Sequence, residues 1–185
     1  MTARPIALDA MGGDHAPSAT VEGACRAVSD GLPVVLVGDE NRLRPLIPKG
    51  IDIDILHASE EVRMDEAPSA AVRAKKDASV RVAARAVAED KASALVSFGN
   101  TGALMAASLM ELGRIEGVER PAVIATLPRS DGGQVVILDL GANVDCKPSH
   151  LAQFSVMGRV FAEEVLGVEN PRVGILSNGE EEGKG

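Results

Sequence analysis

Residues Gln134–Met157 read QVVILDLGANVDCKPSHLAQFSVM, and this stretch decides the fold class. Val135–Leu138 is an apolar run without alternation, the pattern of a strand that is buried on both faces of a parallel sheet. An aspartate ends the run, and Gly141 and Asn143 suit a tight turn. Pro148 suits the first position of a helix, and apolar residues then recur at helical spacing. The stretch therefore predicts a strand, a polar glycine turn and a helix, although an ordinary turn without function would have the same pattern.

Short apolar runs and helical patterns alternate along the rest of the chain. Strands are predicted at Pro5–Leu8, Pro33–Val37, Ile51–Leu56, Ala94–Ser97, Arg120–Thr126 and Val173–Leu176. Helices are predicted at 18–29, 41–46, 66–90 (as one helix or two) and 101–112, the last capped by Thr101 and ended by Gly113. Isoleucines that alternate with polar residues in 51–56 indicate a more exposed strand at a sheet edge. The pattern predicts an α/β fold, a mostly parallel sheet with helices on both faces.

The composition supports one α/β domain over residues 1–185. The chain has 185 residues, of which 45% are hydrophobic and 25% charged, enough for a full core. With three Phe and no Trp or Tyr, aliphatic side chains must fill that core. The net charge of −8 argues against a general nucleic-acid binder.

Two cysteines and the N-terminal segment bear on the compartment. Cys25 and Cys146 show neither zinc-site spacing nor a disulfide framework, which favours a reduced cytosolic protein but leaves a bridge between them open. The apolar run after Arg4 stops at Asp9, so it predicts neither a signal peptide nor a transmembrane helix. The sequence stops inside a polar loop, and we expect it to be the N-terminal part of a longer chain.

Four predicted strand ends carry polar glycine loops, at Asp9–His15, Ser97–Gly102, Asp139–Asn143 and Ser177–Gly185. In an open α/β sheet, ligands bind at the carboxyl ends of the strands, so we expect the four loops to line one crevice. Unpaired N–H groups at helix N-termini bind anions, and the small residues of Ser97–Gly102 fit such a site best. The Walker pattern and the dinucleotide fingerprint are both absent.

Several side chains in these loops are candidates for chemistry. Asn100 and Asn143 can donate hydrogen bonds to a phosphate or a carbonyl oxygen, and Lys184 can offset the charge on phosphate or on an oxyanion. His15 can act as acid or base. Plain loop or helix-start roles remain open for Lys184 and His15. The convergence of the loops predicts one site for a phosphate or a carbonyl group, and this site also includes Asp9, Gly12, Gly13, Asp14, Gly99, Thr101, Gly102, Asp139, Gly141, Gly179 and Glu180.

Acidic and basic side chains raise two further questions. Nothing in the spacing of the loop aspartates fixes a metal coordination set, so no metal and no cofactor is predicted. Basic residues crowd the predicted helical segment 66–90, where they form either a solvated face or a surface for an acidic partner. The candidates for that surface are Lys75, Lys76, Arg81 and Arg85.

The segments DAMGGDHAP (9–17), FGNTG (98–102), LDLGANVD (138–145) and GEEEGKG (179–185) resemble those of the bacterial phosphate acyltransferase family of phospholipid synthesis. The order and spacing match along the whole chain, with Phe98 at a position where the family more often has a small residue. The resemblance implies a Rossmann-like three-layer α/β/α sandwich, similar to the isocitrate-dehydrogenase and phosphotransacetylase group. It also implies chains that run well beyond residue 185.

The resemblance further implies an activity and partners. Such enzymes transfer a fatty acyl group from acyl carrier protein to inorganic phosphate. They are cytosolic homodimers, peripherally associated with the membrane, and a membrane glycerol-3-phosphate acyltransferase uses their product. The alternatives are a nucleotide- or dinucleotide-binding, dehydrogenase-like domain, which would need the absent glycine fingerprint, and a non-catalytic module that binds a carrier protein.

Overall fold

The computed structural model describes residues 3–143, 145–177 and 179. The chain divides into two compact units, residues 1–113 (unit 1) and 114–185 (unit 2). The single domain over 1–185 stays a prediction.

Unit 1 contains a four-stranded sheet in which every pair of neighbouring strands is parallel. The strands are β1 (Ile6–Asp9), β2 (Val34–Gly38), β3 (Asp54–His57) and β4 (Ala94–Ser97), in the order β3-β2-β1-β4. The mostly parallel sheet is therefore confirmed, and β3 lies at an edge, as the alternating isoleucines predicted.

The helices of unit 1 cover both faces of this sheet. They are α1 (Ser18–Ser29), α2 (Glu40–Leu43, followed by a 3-10 turn at Arg44–Leu46), α3 (Pro68–Ala74), α4 (Ser79–Ala88) and α5 (Thr101–Glu111). Successive side chains of a strand point to opposite faces. Leu8 of β1 accordingly lies in one core with Val21 of α1, and its neighbour Ala7 lies in another with Ala83 of α4. Unit 1 is thus a three-layer α/β/α arrangement, as predicted.

The predicted helical segment 66–90 is two helices, because α3 ends at Ala74 and α4 begins at Ser79. These helices and α5 share a core of small and β-branched side chains, among them Val72, Ala84 and Ala107. Small side chains let the three helices approach closely, which brings the start of α5 beside the start of α3. Gly113 follows α5 with φ +78°, so the predicted glycine stop is confirmed.

Unit 2 contains a hairpin and one long helix. Strands β5 (Ala125–Pro128) and β6 (Gln134–Ile137) pair antiparallel, and α6 spans Pro148–Glu164. The Arg129 N–H donates to the Gly133 carbonyl at 2.8 Å and closes the turn between the strands.

Three sequence predictions fail in unit 2. The apolar run at Val135–Leu138 was predicted to be a parallel strand buried on both faces, but β6 is antiparallel and Val135 is exposed. The glycine turn at 131–133 explains this, because it joins β5 and β6 directly as a hairpin. Val173–Leu176, also predicted as a strand, has no regular secondary structure, and the strand predicted from Arg120 begins at Ala125.

In the parts of the chain that the structure describes, no helix is both long and apolar enough to cross a membrane.

Candidate active site

The loops that follow β1 and β4 meet at one edge of the sheet. These strands are parallel neighbours, with Asp9 opposite Ser97, so their carboxyl ends lie side by side. The Ser97 hydroxyl donates to Asp9 Oδ2 at 2.7 Å, and the Gly99 N–H donates to the Ser97 oxygen at 3.1 Å. These two hydrogen bonds tie the loop after β4 to the end of β1.

Close backbone approach between the two loops requires glycine. A Cβ added at Gly12 would lie 2.6 Å from Asp9 Oδ2 and 2.9 Å from the Gly99 nitrogen, closer than a real Cβ comes to other atoms. Gly13 has φ +115° and lies against Phe98. The prediction that the glycine loops share one edge is confirmed for these two.

Asp9 is the buried carboxylate under this junction, with only 3% of its surface exposed. Burial raises the pKa of Asp9, while hydrogen bonds from Ser79, Ser97 and the N–H groups of Met11 and Gly12 act in the opposite direction. Since Asp9 binds those two N–H groups, they are not available to an external anion. The first loop therefore fixes the junction, and its next residues, Asp14 and His15, are exposed.

The N-terminus of α5 is the part of this edge best arranged for an anion. Asn100 Oδ1 accepts from the Ala103 N–H at 3.1 Å, so Asn100 caps the helix and the predicted Thr101 cap is wrong. Within residues 3–143, 145–177 and 179, no hydrogen bond is made by the N–H groups of Thr101 and Gly102. These two donors, at the positive end of the helix dipole, can bind an anion.

The side-chain amide of Asn100 is already bonded. Its Nδ2 donates to the carbonyls of Met64 at 3.3 Å and Glu66 at 3.4 Å. The start of α3 packs against the same turn, since a Cβ at Gly102 would lie 2.8 Å from Pro68 Cγ. Asn100 thus holds the segment before α3 against the start of α5.

The loop after β6, in unit 2, is fixed to the segment before β5. Asp139 accepts from the Val123 N–H at 2.7 Å and from the Asn143 N–H at 2.6 Å. The Asn143 amide donates to the Pro121 carbonyl at 2.9 Å, and Gly141 has φ +88°. This loop belongs to the other unit, so its place in a shared crevice stays a prediction.

The last predicted loop, Ser177–Gly185, lies mostly outside the described residues. Lys184 and Glu180 lie outside the described residues. Gly179 lies within them, and its carbonyl accepts from the Ser177 hydroxyl at 2.7 Å.

Three of the four basic residues predicted to form the surface for an acidic partner make ion pairs within the protein. Lys75 Nζ lies 2.6 Å from the Glu66 carboxylate, and both Arg81 and Arg85 bind Glu111, at 2.5 and 3.3 Å. The fourth, Lys76, is exposed. Pairs that span up to 30 residues in sequence cannot be read from a local charge run.

The Glu111 carboxylate is held ionised by these arginines. Burial opposes the charge, but hydrogen bonds from Arg81 and Arg85 lower the pKa of Glu111 below its usual value. The two arginines also donate to the carbonyls of Val72 and Lys76, respectively. The cluster therefore ties α4 to α5 and to the end of α3.

Sequence reasoning did not identify His150 in unit 2. Its ring is buried, Nδ1 accepts from the Lys147 N–H at 3.1 Å, and Nε2 lies 3.2 Å from Glu119. The only signal was a polar residue just after Pro148 at the start of a helix.

No group of three or more His, Cys, Asp or Glu side chains among the described residues is arranged to hold a metal ion. A groove of about 660 Å³, lined by α1 and residues 46–51, contains none of the predicted site residues.

The fold and the loop junction define a class: an α/β/α protein that presents a helix N-terminus between glycine loops at the carboxyl edge of a parallel sheet. That is where proteins of this architecture bind anionic ligands. The chain matches the family model described as "Fatty acid synthesis protein" over residues 5–185, and it belongs to that family.

Curated relatives carry the name phosphate acyltransferase. The chain is 53% identical to the protein of Anaeromyxobacter sp. (strain Fw109-5), covering 98% of this chain and 52% of the relative. It is also 53% identical to the protein of Bacillus cereus (strain G9842), covering 97% and 55%. The chain thus spans about half the length of the curated relatives it matches.

A branched-chain phosphotransacylase from Enterococcus faecalis V583 has a similar structure. The TM-score is 0.60 at 17% identity, over 90% of this chain and 54% of that one. This likeness shows the fold, as the resemblance implied. The family model and the curated relatives do not favour a dehydrogenase-like domain or a non-catalytic carrier-binding module.

Proposed function

We propose that this protein, as part of a longer polypeptide, transfers a fatty acyl group from acyl carrier protein to inorganic phosphate and so forms acyl phosphate. The observation that carries the proposal is the pair of N–H donors of Thr101 and Gly102, fixed beside the Asp9–Ser97–Gly99 junction. The family described as fatty acid synthesis proteins and the relatives named phosphate acyltransferase support the same reaction.

The proposed reaction is one acyl transfer. An oxygen of hydrogen phosphate attacks the thioester carbonyl, the carbon–sulfur bond breaks, and the proton of the phosphate goes to the sulfur that leaves as a thiol. Phosphate is already nucleophilic at neutral pH, so no acyl-enzyme intermediate is needed. The protein contributes orientation and stabilisation of charge.

The roles of individual residues are part of the proposal. Phosphate sits against the N–H groups of Thr101 and Gly102, and Asn100 acts by fixing that turn, since its own amide holds the segment before α3. Asn143 orients phosphate or the thioester, and Lys184 offsets the charge on phosphate and on the oxyanion. His15, exposed near the junction, is the weaker candidate for proton transfer.

The partners are part of the proposal. The carrier protein is acidic, so its encounter with this acidic chain depends on a local cationic surface and weakens with salt. Lys76 is the exposed member of the predicted surface and is the candidate for direct contact with the carrier protein. Lys75, Arg81 and Arg85 form ion pairs with Glu66 and Glu111 and hold the helices that carry this surface. A homodimer, a cytoplasmic location with peripheral membrane association, and a downstream glycerol-3-phosphate acyltransferase complete the proposal.

The test is acyl-phosphate formation by the full-length protein from an acyl-carrier thioester and phosphate. Lys184→Met should fold normally and lose at least about tenfold in kcat/KM, because one oriented charge-stabilising donor is typically worth about 10²–10³ in kcat. Lys49→Met, in the loop between α2 and β3, is the matched control and should keep the activity of the parent. Parent-like rates in Lys184→Met would reject the role of the last loop, and consumption of a nucleotide instead of the thioester would reject the reaction.

A further inference from the structure

Two large apolar side chains lie exposed around the N-terminus of α5. Phe98 stands between Ser97 and Gly99 and is 66% exposed. Met64 is 56% exposed, and its carbonyl accepts the hydrogen bond from Asn100, the cap of α5. We name this pair the apolar rim.

The backbone and Cβ of Phe98 are packed against a neighbouring loop, although its ring is exposed. A Cβ at Gly13 would lie 3.2 Å from the Phe98 Cβ and 3.3 Å from its carbonyl oxygen, so the residue rests on the glycine loop after β1. Phe154, by contrast, is 3% exposed. The ring of Phe98 is therefore not part of the core, and it is available to a ligand at this edge.

Small and polar residues otherwise make up the loop 97–102, Ser97, Gly99, Asn100, Thr101 and Gly102. An aromatic ring among them adds an apolar surface beside the unpaired N–H groups of Thr101 and Gly102. A ligand that matches both features has an anionic end and an apolar chain attached close to it. An acyl phosphate, or a phosphate beside the carbonyl of a fatty acyl thioester, has this chemistry.

We propose that the apolar rim holds the part of the acyl chain next to the reacting carbonyl, and that Phe98 is a specificity-determining residue for acyl-chain length. The inference rests on the proposed acyl transfer to phosphate. Apolar contact grows with the area that leaves water, at about 0.8 kcal/mol per methylene, or roughly fourfold in affinity. A rim of two side chains therefore discriminates between chains that cover it fully and chains too short to do so. Methionine adapts its shape, so Met64 fits several chains while Phe98 sets the preference.

The test is the ratio of kcat/KM for a long-chain acyl-carrier thioester and for one too short to cover the rim, for example sixteen and two carbons, measured with the full-length protein. Phe98→Ala should lower this ratio by about tenfold and leave the KM for phosphate unchanged. Phe98→Leu should keep most of the ratio, and Met64→Ala should lower it by less than Phe98→Ala. The matched control is Leu32→Ala, which removes a 52% exposed apolar side chain between α1 and β2 and should leave the ratio as it is.

Each other outcome has a defined meaning. An equal fall for both chain lengths in Phe98→Ala would overturn the inference and assign the ring to the carrier protein or to loop positioning. A parent protein that shows no chain-length preference would also overturn it. If the parent forms no acyl phosphate at all, the proposed function fails as well, whereas the preceding outcomes leave that function intact.

Discussion

Unit 1 and unit 2 each use one aspartate and one asparagine at strand ends, and the two pairs of residues have different roles. In unit 1, Asp9 lies under the junction and Asn100 caps α5, which begins at the next residue. In unit 2, Asp139 binds two backbone N–H groups and Asn143 binds one carbonyl, but α6 begins only at Pro148. Similar residue types therefore present a helix N-terminus in one unit and only fix a loop in the other.

Burial adds to the difference. Asp9 is 3% exposed and its pKa is raised by burial, whereas Asp139 is half-buried and uses both oxygens as acceptors for backbone N–H groups. The junction in unit 1 is also the place where two backbones touch, at Gly12 and Gly99. We therefore expect substitutions of Gly12 and Asn100, at and beside the junction in unit 1, to cost more unfolding free energy than substitutions in the loop after β6 in unit 2.

The largest effect is expected for Gly12→Ala. The new methyl group would meet Asp9 Oδ2, Ser97 Oγ and the Gly99 nitrogen within 2.9 Å, and overpacking of this kind typically costs about 1–3 kcal/mol of unfolding free energy. We expect a loss of about 3 kcal/mol in urea unfolding. Gly23→Ala in α1, where nothing lies within 4 Å of the added Cβ, is the control and should be neutral or stabilising. Equal stability of the two variants would show that the loops are not closely packed.

Asn100→Ala should cost about 2 kcal/mol, about 1 kcal/mol from the lost cap and about 1 kcal/mol from the two long amide hydrogen bonds to Met64 and Glu66 together. Asn143→Ala loses only the hydrogen bond to Pro121 and should cost about 1 kcal/mol. Asn100→Ser keeps a capping side chain but lacks the amide. Its melting temperature should lie between those of the parent and Asn100→Ala. For acyl transfer, Asn100→Ala should also lose at least about tenfold in kcat/KM, equivalent to about 1.4 kcal/mol. If Asn143→Ala loses tenfold in kcat/KM and Asn100→Ala does not, the chemical site lies in unit 2 and not at the start of α5.

Glu111→Gln tests the ion cluster that ties α4 to α5. The pKa of Glu111 is lowered in the folded protein, so its stabilisation is present above the pKa of the unfolded state and is lost as pH falls through the folded value. The variant should be less stable by about 1 kcal/mol at pH 7. Its stability should also fall less steeply than that of the parent below about pH 4.5, the ordinary value. Parallel pH curves for the two proteins would exclude a contribution from this carboxylate.

The smallest effect is expected for Asp9→Asn, which should change the unfolding free energy at pH 7 by less than about 1 kcal/mol. The pKa of Asp9 is raised, so its favourable contribution is present below 3.8, the ordinary value, and is lost as pH rises through the folded value. The amide removes that loss and should flatten the stability curve above pH 3.8. Asp139→Asn places an NH₂ opposite a backbone N–H and should cost more at every pH. If Asp9→Asn loses more unfolding free energy than Asp139→Asn at pH 7, the difference that we expect between the two aspartates is wrong.

Local patterns predicted unit 1 well. The strands at 6–9, 34–38 and 94–97 and the helix Ser18–Ser29 were identified because apolar runs, glycine turns and helical spacing are local signals. The edge position of β3 also followed from the alternation of its isoleucines. The cap of α5 was placed one residue late, since Asn100 and Thr101 both have capping side chains.

Long-range features could not be predicted in this way. An apolar run of four residues does not show whether its partner is parallel or antiparallel, which is why β6 was misassigned. A run of basic residues does not show that Glu111 neutralises two of them from another helix. The contact of Gly12 with Gly99 depends on the strand order, which no local pattern contains.

The hydrogen bond between Ser97 and Asp9 joins residues that are 88 positions apart. During synthesis the ribosome adds about 5–20 residues per second, so the first partner waits roughly 4–18 s for the second. Throughout that interval β1 has a free edge on the side that β4 will later occupy, and free edges of this kind pair readily with other chains. The junction can therefore form only after β4 has been synthesised, and slowing translation just before Ala94 should prolong the period in which a chaperone can bind β1.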